Sequence, residues 1–286
     1  MNKKIISISD GQRCVHTTPT RGLPQLFCIH GGMGLGSDSI FGIESLSEHF
    51  DLIWIDLRGS GQSDISKNGS YSLNDFAEDI NEIVSQLKND KPKGIFGHSL
   101  GGMVAVKTLA KYPSLFDFAI LSNTAMDDKW RSSSQEAVQK IKNPQLDNAL
   151  AKYQKNPKSY EAVQELAIQY GPIYFPELSP QDAKSQMEKF SYRAETMEYT
   201  SNKVYPGMDL KNDSGTIQVP TLILSGELDE VVPSKCQKTL ADTIPISTLV
   251  TLRGCGHFPF VTKKDDFKNA ISQWWKSVKS QTEEKK

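Results

Sequence analysis

The chain has 286 residues, enough to bury a sizeable core without help from a disulfide or a metal. Its 33 basic and 34 acidic side chains leave a net charge of −1, which removes the electrostatic case for nucleic acid or an anionic membrane as partner. Cys14, Cys28, Cys236 and Cys255 are scattered with no C-x-x-C pair, so buried free thiols in a reducing cytosol are expected.

At the N-terminus, Lys3-Lys4 precedes residues 5–10, a stretch too short and polar for a signal peptide. No run approaches the ~20 apolar residues of a membrane span, and a cytoplasmic location is expected. Residues 5–15 predict two short strands around the turn Asp10-Gly11. Residues 26–29, nearly all apolar, predict a parallel strand covered on both faces, ending in His30-Gly31-Gly32-Met33-Gly34. Residues 40–50 read as a helix and 51–56 as another buried strand, which runs into the turn-rich loop 57–64. Ser72 with Asp75 three residues on reads as a helix start, and Phe76, Ile80, Ile83, Val84 and Leu87 recur at helical spacing behind it.

Next comes Gly97-His98-Ser99-Leu100-Gly101, a G-x-S-x-G pattern. The apolar Gly94-Ile95-Phe96 before it reads as a strand, and residues 102–110 after it as a helix closed by Tyr112-Pro113. A serine on a tight strand-to-helix turn is a strained, exposed nucleophile at the head of a helix. Residues 118–122 predict one more strand, and strand alternating with helix at this rhythm means βαβ units and a parallel sheet.

At about Asp127 the rhythm breaks. Residues 127–213 read as helical, polar-rich and aromatic, with Tyr170, Tyr174, Phe175, Phe190, Tyr192, Tyr199 and Tyr205, and as a helical cap inserted over the site. Residues 1–126 and 214–286 would form the core. Strands resume at 219–226 and 247–252, separated by a helix over 234–241, and a helix over 265–278 closes the chain before a polar tail, 281–286, expected to fray.

In open parallel sheets, ligands bind beyond the carboxyl ends of the strands. Ser99, Asp229 and His257 all stand at such ends, in the order nucleophile, acid, base. His257 would take the serine proton and return it to the leaving group, while Asp229 would fix the imidazole tautomer. Gly254 and Gly256 free the loop that carries His257, whereas Asp127 and Asp128 are rivals for the acid. The oxyanion needs two donors, for which the backbone N–H groups of Leu100 and Gly32 are the candidates.

With these motifs in hand, the chain resembles the α/β-hydrolase superfamily, from residue 26 to the final helix. The match rests on His30-Gly31-Gly32-x-Gly34, Asp56-Leu57-Arg58-Gly59-Ser60-Gly61-x-Ser63, Gly97-His98-Ser99-Leu100-Gly101-Gly102 and the Asp229 and His257 endings. It is most similar to the proline iminopeptidase branch, peptidase family S33. The resemblance implies a mostly parallel sheet flanked by helices with an inserted helical cap, an α/β fold. It also implies an acidic residue beside the triad aspartate and a glutamate late in the cap, which together hold the substrate's ammonium group. Glu230 and Glu198 match those places, with Glu195 as a rival of Glu198. In that branch the Asp56–Arg58 loop supports the site from behind. Met33 departs from the branch, which has proline there.

The expected function is therefore serine hydrolysis through an acyl-enzyme, with no metal or cofactor, on a small molecule or short peptide. A proline iminopeptidase-like aminopeptidase leads. A carboxylesterase or lactonase on a small neutral acyl substrate is the alternative, needing the same triad and no ammonium anchor. A non-catalytic binding protein on the same scaffold would be marked by a broken triad, and none is evident in the sequence.

Overall fold

The computed structural model describes residues 1–87, 89–140 and 143–283. Its centre is one sheet of eight strands: β1 (Asn2–Ile8), β2 (Gly11–Thr17), β3 (Gln25–Ile29), β4 (Asp51–Ile55), β5 (Lys93–His98), β6 (Phe118–Ser122), β7 (Thr221–Gly226) and β8 (Ser247–Leu252). The order across the sheet is β1-β2-β4-β3-β5-β6-β7-β8. β1 and β2 form an antiparallel hairpin whose second strand pairs antiparallel with β4, and every pairing from β4 to β8 is parallel. β3, β4, β6 and β7 are buried along their whole length, as strands covered on both faces must be.

Alternation along the strands divides the core into two layers. Phe27, Ile29, Ile53, Ile95 and Leu121 point to one face, against Phe76, Ile80 and Ile83 of helix α1 (Leu73–Leu87) and Val104 of helix α2 (Leu100–Lys111). Leu26, Cys28, Trp54, Phe96 and Ile120 point to the other. There they meet Ile40, Ile43 and Leu46, and Phe267 and Ile271 of the closing helix. α1 opens with the reciprocal cap read from its sequence: Asp75 N–H donates to Ser72 Oγ (3.2 Å) and Ser72 N–H to Asp75 Oδ2 (2.9 Å).

The helix expected over 40–50 is instead a 3₁₀ helix, Ser37–Glu48. Its buried apolar residues, Ile40, Ile43 and Leu46, recur every three residues, the repeat that keeps one face together in a three-residue turn.

Between β6 and β7 the described chain holds helices and no strand: α3 (Trp130–Lys140), α4 (Pro144–Lys155), α5 (Tyr160–Gln169), α6 (Gly171–Tyr174), α7 (Pro180–Met187), α8 (Ala194–Tyr199), a π-helical turn (Thr200–Val204) and α9 (Lys211–Gly215). Asn143 and Ser179 cap α4 and α7, each with proline in the first turn, where no N–H is required. After β7 come α10 (Ser234–Thr243), β8, the short α11 (Pro259–Thr262) and α12 (Lys264–Glu283). The tail expected to fray from 281 is helical as far as Glu283, and residues 284–286 lie outside the described residues. No helix among the described residues is long and apolar enough to cross a membrane.

Candidate active site

The carboxyl ends of β3, β5, β6, β7 and β8 are neighbours in the sheet, and they carry His30, Ser99, Asn123, Asp229 and His257. Ser99 is held at φ 54° and ψ −119°, a strained conformation for a residue with a side chain. It is pinned from both sides: its N–H donates to Ser122 O (3.0 Å) and its carbonyl accepts from Thr124 Oγ1 (2.7 Å). The turn is so tight that a Cβ on Gly97 would stand 2.3 Å from Gly101 O, and one on Gly101 would stand 2.4 Å from Ile29 O. Only glycine permits these approaches.

Asp229 is 4 % exposed and His257 1 % exposed. Asp229 Oδ1 accepts the N–H groups of Val231 and Val232, both at 2.9 Å. Its Oδ2 accepts from His257 Nδ1 (2.8 Å) and from Asn123 Nδ2 (2.9 Å). A carboxylate only accepts, so the proton sits on Nδ1 and Nε2 is left with a free lone pair. Asp127 and Asp128, the rivals for this role, are engaged elsewhere, with Lys129 (3.4 Å) and with the Gly207 N–H (2.9 Å).

The imidazole is also fixed through its backbone. His257 N–H donates to Tyr174 O (2.9 Å), and His257 O accepts from His98 Nε2 (2.9 Å). His98 is therefore protonated on Nε2, and its buried Nδ1 has no partner among the described residues. Burial, and after it the neighbouring His257, holds His98 well below the ordinary histidine range, so it is neutral.

His30 anchors the glycine loop. Its Nδ1 donates to Gly31 O (2.8 Å) and its Nε2 accepts the Leu57 N–H (3.1 Å). Gly32 stands beside Leu100: a Cβ on Gly32 would lie 3.4 Å from Leu100 Cβ and 2.2 Å from Tyr205 Oη. Met33 has φ 64°, a value closed to proline, whose ring locks φ near ~−65°. The loop therefore follows a backbone path that the proline of the iminopeptidase motif cannot take. The Tyr174 hydroxyl donates to Met33 Sδ (3.1 Å) and ties this loop to α6.

Ser99, His257, Gly32 and Met33 all line one cavity of about 280 Å³. Residues 24–264 match the family described as alpha/beta hydrolase fold. The chain belongs to the α/β-hydrolase fold family. A proline iminopeptidase of Thermoplasma volcanium is 24% identical over 263 residues, 87% of this chain and 88% of that protein. A Cronobacter turicensis protein provisionally named carbamate hydrolase RutD is 22% identical, over 90% of this chain and 92% of that protein. Among solved structures, the esterase EaEST from Exiguobacterium antarcticum superposes with a TM-score of 0.75 at 22% identity, covering 95% of this chain and 98% of that one. The resemblance to this superfamily, near its proline iminopeptidase branch, and the fold expected from it agree with these matches.

Within this α/β-hydrolase, the two expected ammonium anchors do not meet at the cavity. Glu230 is exposed and absent from the wall: Asp229 draws the N–H groups of residues 231 and 232 inward, and the turn leaves the side chain between them outside. Glu198, on α8, is half-buried and not among the wall residues, and its charge acts on Tyr153. The Tyr153 hydroxyl is pushed up by burial first and by Glu198 second. Glu195 is exposed and sits 3.4 Å from Arg193. Among the described residues no aspartate or glutamate lines the cavity, while Tyr170, Tyr174 and Tyr205 do. The other aromatics noted in the insert pack elsewhere, Phe175 stacking on Phe258 at 5.0 Å.

Sequence reasoning missed Asn123, which has φ 51° and donates to both Asp229 (2.9 Å) and Gly256 O (3.3 Å). Its position just past β6, beside two other strand ends that carry site residues, was the available signal. Cys14, His16 and Asp56 bring three metal-capable atoms within 4.8 Å of one another, and none of the three lines the cavity. Both Asp56 oxygens already accept backbone N–H groups, from Ser37 (2.8 Å) and Gln62 (2.9 Å). Burial, and then Asp56, pushes the Cys14 thiol up to about 11.

Proposed function

We propose that this α/β-hydrolase is a serine hydrolase that works through an acyl-enzyme on Ser99. The observation that carries the reading is the buried Asp229–His257 pair, whose free Nε2 belongs to a residue lining the same cavity as the Ser99 elbow. His257 Nε2 takes the Ser99 proton as Oγ attacks the substrate carbonyl. The backbone N–H groups of Leu100, at the head of α2, and Gly32 receive the oxyanion. His257 then passes the proton to the leaving group, and water repeats the sequence to release the acid. Asp229 keeps the imidazole in the required tautomer and stabilises the imidazolium. The helices at 130–215 serve as a cap, contributing Trp130, Tyr153, Tyr170 and Tyr205 to the cavity wall. Four cysteines, all buried and free, support a cytoplasmic location.

A carboxylesterase- or lactonase-type substrate is preferred to an aminoacyl one. An ammonium group entering this cavity would lose its water and meet no carboxylate on the wall. The aminopeptidase reading keeps two supports: relatives named proline iminopeptidase, and a Glu198 charge that is felt by Tyr153 of the wall. The test is labelling of Ser99 by a fluorophosphonate, followed by a panel of short acyl esters beside aminoacyl-naphthylamides. Ester turnover with little aminoacyl turnover is expected. Aminoacyl turnover that exceeds it and collapses in Glu198→Ala would replace the ester reading by the peptidase one. Folded protein with no label on Ser99 would remove both.

A further inference from the structure

We propose that Arg131 makes this cavity selective for substrates that carry an anionic oxygen group, a carboxylate or a phosphate monoester. The proposal rests on the serine-hydrolase reading and names its substrate class. It begins with the charges on the wall. Among the described residues that line the cavity there is no aspartate, glutamate or lysine, and the charge that is fixed at neutral pH is the Arg131 guanidinium. His98 is neutral, and burial pushes the Tyr205 hydroxyl up to about 12 and the Tyr174 hydroxyl well above its ordinary range.

Among the described residues the Arg131 side chain has no partner. It is half-buried, and its side chain makes no ion pair or hydrogen bond among the described residues. The acids just before it in the chain are committed, Asp127 to Lys129 and Asp128 to the Gly207 N–H. The nearest comparison inside this protein is Arg58, whose guanidinium is met by three carboxylates. A guanidinium that is partly removed from water, lines a cavity and lacks a counter-charge favours a ligand that brings one.

The helix carrying it is built to the same end. Arg131, Ser134, Gln135 and Val138 of α3 are spaced i, i+3, i+4 and i+7, and all four line the cavity. The first three offer donors to an oxyacid, and the fourth continues the apolar wall. The indole N–H of Trp130, also a wall residue, is buried with no acceptor among the described residues. Two adjacent side chains thus hold donors that no acceptor among the described residues meets. Arg131 also lowers the Tyr205 hydroxyl electrostatically, and that hydroxyl stands against Gly32 in the candidate oxyanion loop. An anionic group held by Arg131 would therefore lie within one small substrate's length of the scissile carbonyl, in keeping with a cavity of about 280 Å³.

The test is a matched pair of esters, p-nitrophenyl hemiglutarate and p-nitrophenyl pentanoate, which differ chiefly in a terminal carboxylate. The wild-type protein is expected to favour the charged ester in kcat/KM by about tenfold or more, mostly through KM. Arg131→Gln should bring the ratio close to one, Arg131→Lys should retain part of it, and added salt should reduce it. The ratio within each variant is the readout, so a loss of folded protein cancels. Glutarate and inorganic phosphate, as competitive inhibitors of pentanoate hydrolysis, separate the two anion classes. Equal wild-type turnover of the two esters, with neither anion inhibiting, would overturn the proposal and leave the serine hydrolase intact. No turnover of either ester, with Ser99 unlabelled, would instead remove the enzyme and this inference together.

Discussion

Two buried carboxylates, Asp79 and Asp229, show how one residue type is locked by opposite charges in one region and held by neutral donors in another. Asp79, 1 % exposed on α1, is gripped by Arg13 Nε (2.8 Å) and by Arg58 through Nε (2.9 Å) and Nη2 (2.6 Å). Asp10 and Asp75 answer the remaining positive charge, Asp10 at 2.9 Å from Arg13 and Asp75 at 3.5 Å from Arg58. Guanidiniums do not give up their protons, so the positive charges there are fixed and each is met by carboxylates. Asp229 is equally buried, but its four donors are two backbone N–H groups, one amide and one imidazole. Its charge is solvated by dipoles and, in the proposed mechanism, is left available for the moment the imidazole becomes a cation. Full pairing by permanent charges builds structure, whereas pairing by a group that can still change charge builds a site.

The largest effects should come from breaking the second region. Ser99→Ala or His257→Ala is expected to lower kcat on a short p-nitrophenyl ester by about 10⁴- to 10⁶-fold. Circular dichroism should show the fold retained, and a variant within tenfold of wild type would exclude that residue from the chemistry. Asp229→Asn is expected to cost about 10⁴-fold in kcat. The amide can present an N–H where Oδ2 accepted, turning the imidazole to the wrong tautomer. If Asp229→Asn keeps near-wild-type kcat, Asp229 is an anchor for the turn at 231–232 and nothing more.

These outcomes bear on how much could be read from the chain alone. The parallel strands were legible because a strand covered on both faces reads as a continuous apolar run, as residues 26–29 and 52–55 are. The elbow was legible because Gly97 and Gly101 answer a local steric demand. Apolar residues also recur every three positions at 40, 43 and 46, a spacing that α and 3₁₀ helices share, so it marks a helix without fixing its kind. The choice among Asp127, Asp128 and Asp229 depended on which strand end lies beside β8, and β7 does. Glu230 looked inward only as the neighbour of Asp229. Its exposure follows from backbone bonds that chain order does not reveal. The Arg13–Asp79–Arg58 network had no local sign at all, because β2, α1 and the loop after β4 meet only in the folded protein.

Breaking the first region should therefore leave chemistry alone and cost stability. Asp79→Ala leaves two guanidiniums buried without their shared partner, a change expected to destabilise the fold by about 3–5 kcal/mol. Thermal melting should fall by on the order of 10 °C, while turnover per folded molecule stays at the wild-type level. An unchanged melting temperature would mean that Asp10 and Asp75 suffice for both arginines. A lost turnover in fully folded protein would mean that the network reaches the site.

The smallest effect concerns the ring beside His257. His98 and His30 are both buried and both held below the ordinary histidine value of 6.5, chiefly by burial. Above 6.5 the folded and unfolded chains are alike in leaving them neutral, and their contribution to stability is complete. As pH falls below 6.5, the unfolded chain binds protons that the folded chain refuses, so stability declines until the lowered folded values are reached. The slope is up to about 1.4 kcal/mol per pH unit for each histidine. Melting temperature should therefore drop between about pH 6.5 and 5, above the range where ordinary carboxylates titrate. His98→Gln should flatten that slope, because glutamine has no proton to gain. A slope unchanged in His98→Gln would mean that His98 can be protonated in place. Its Nδ1, without a partner among the described residues, would then hold a proton in the wall beside Ser99.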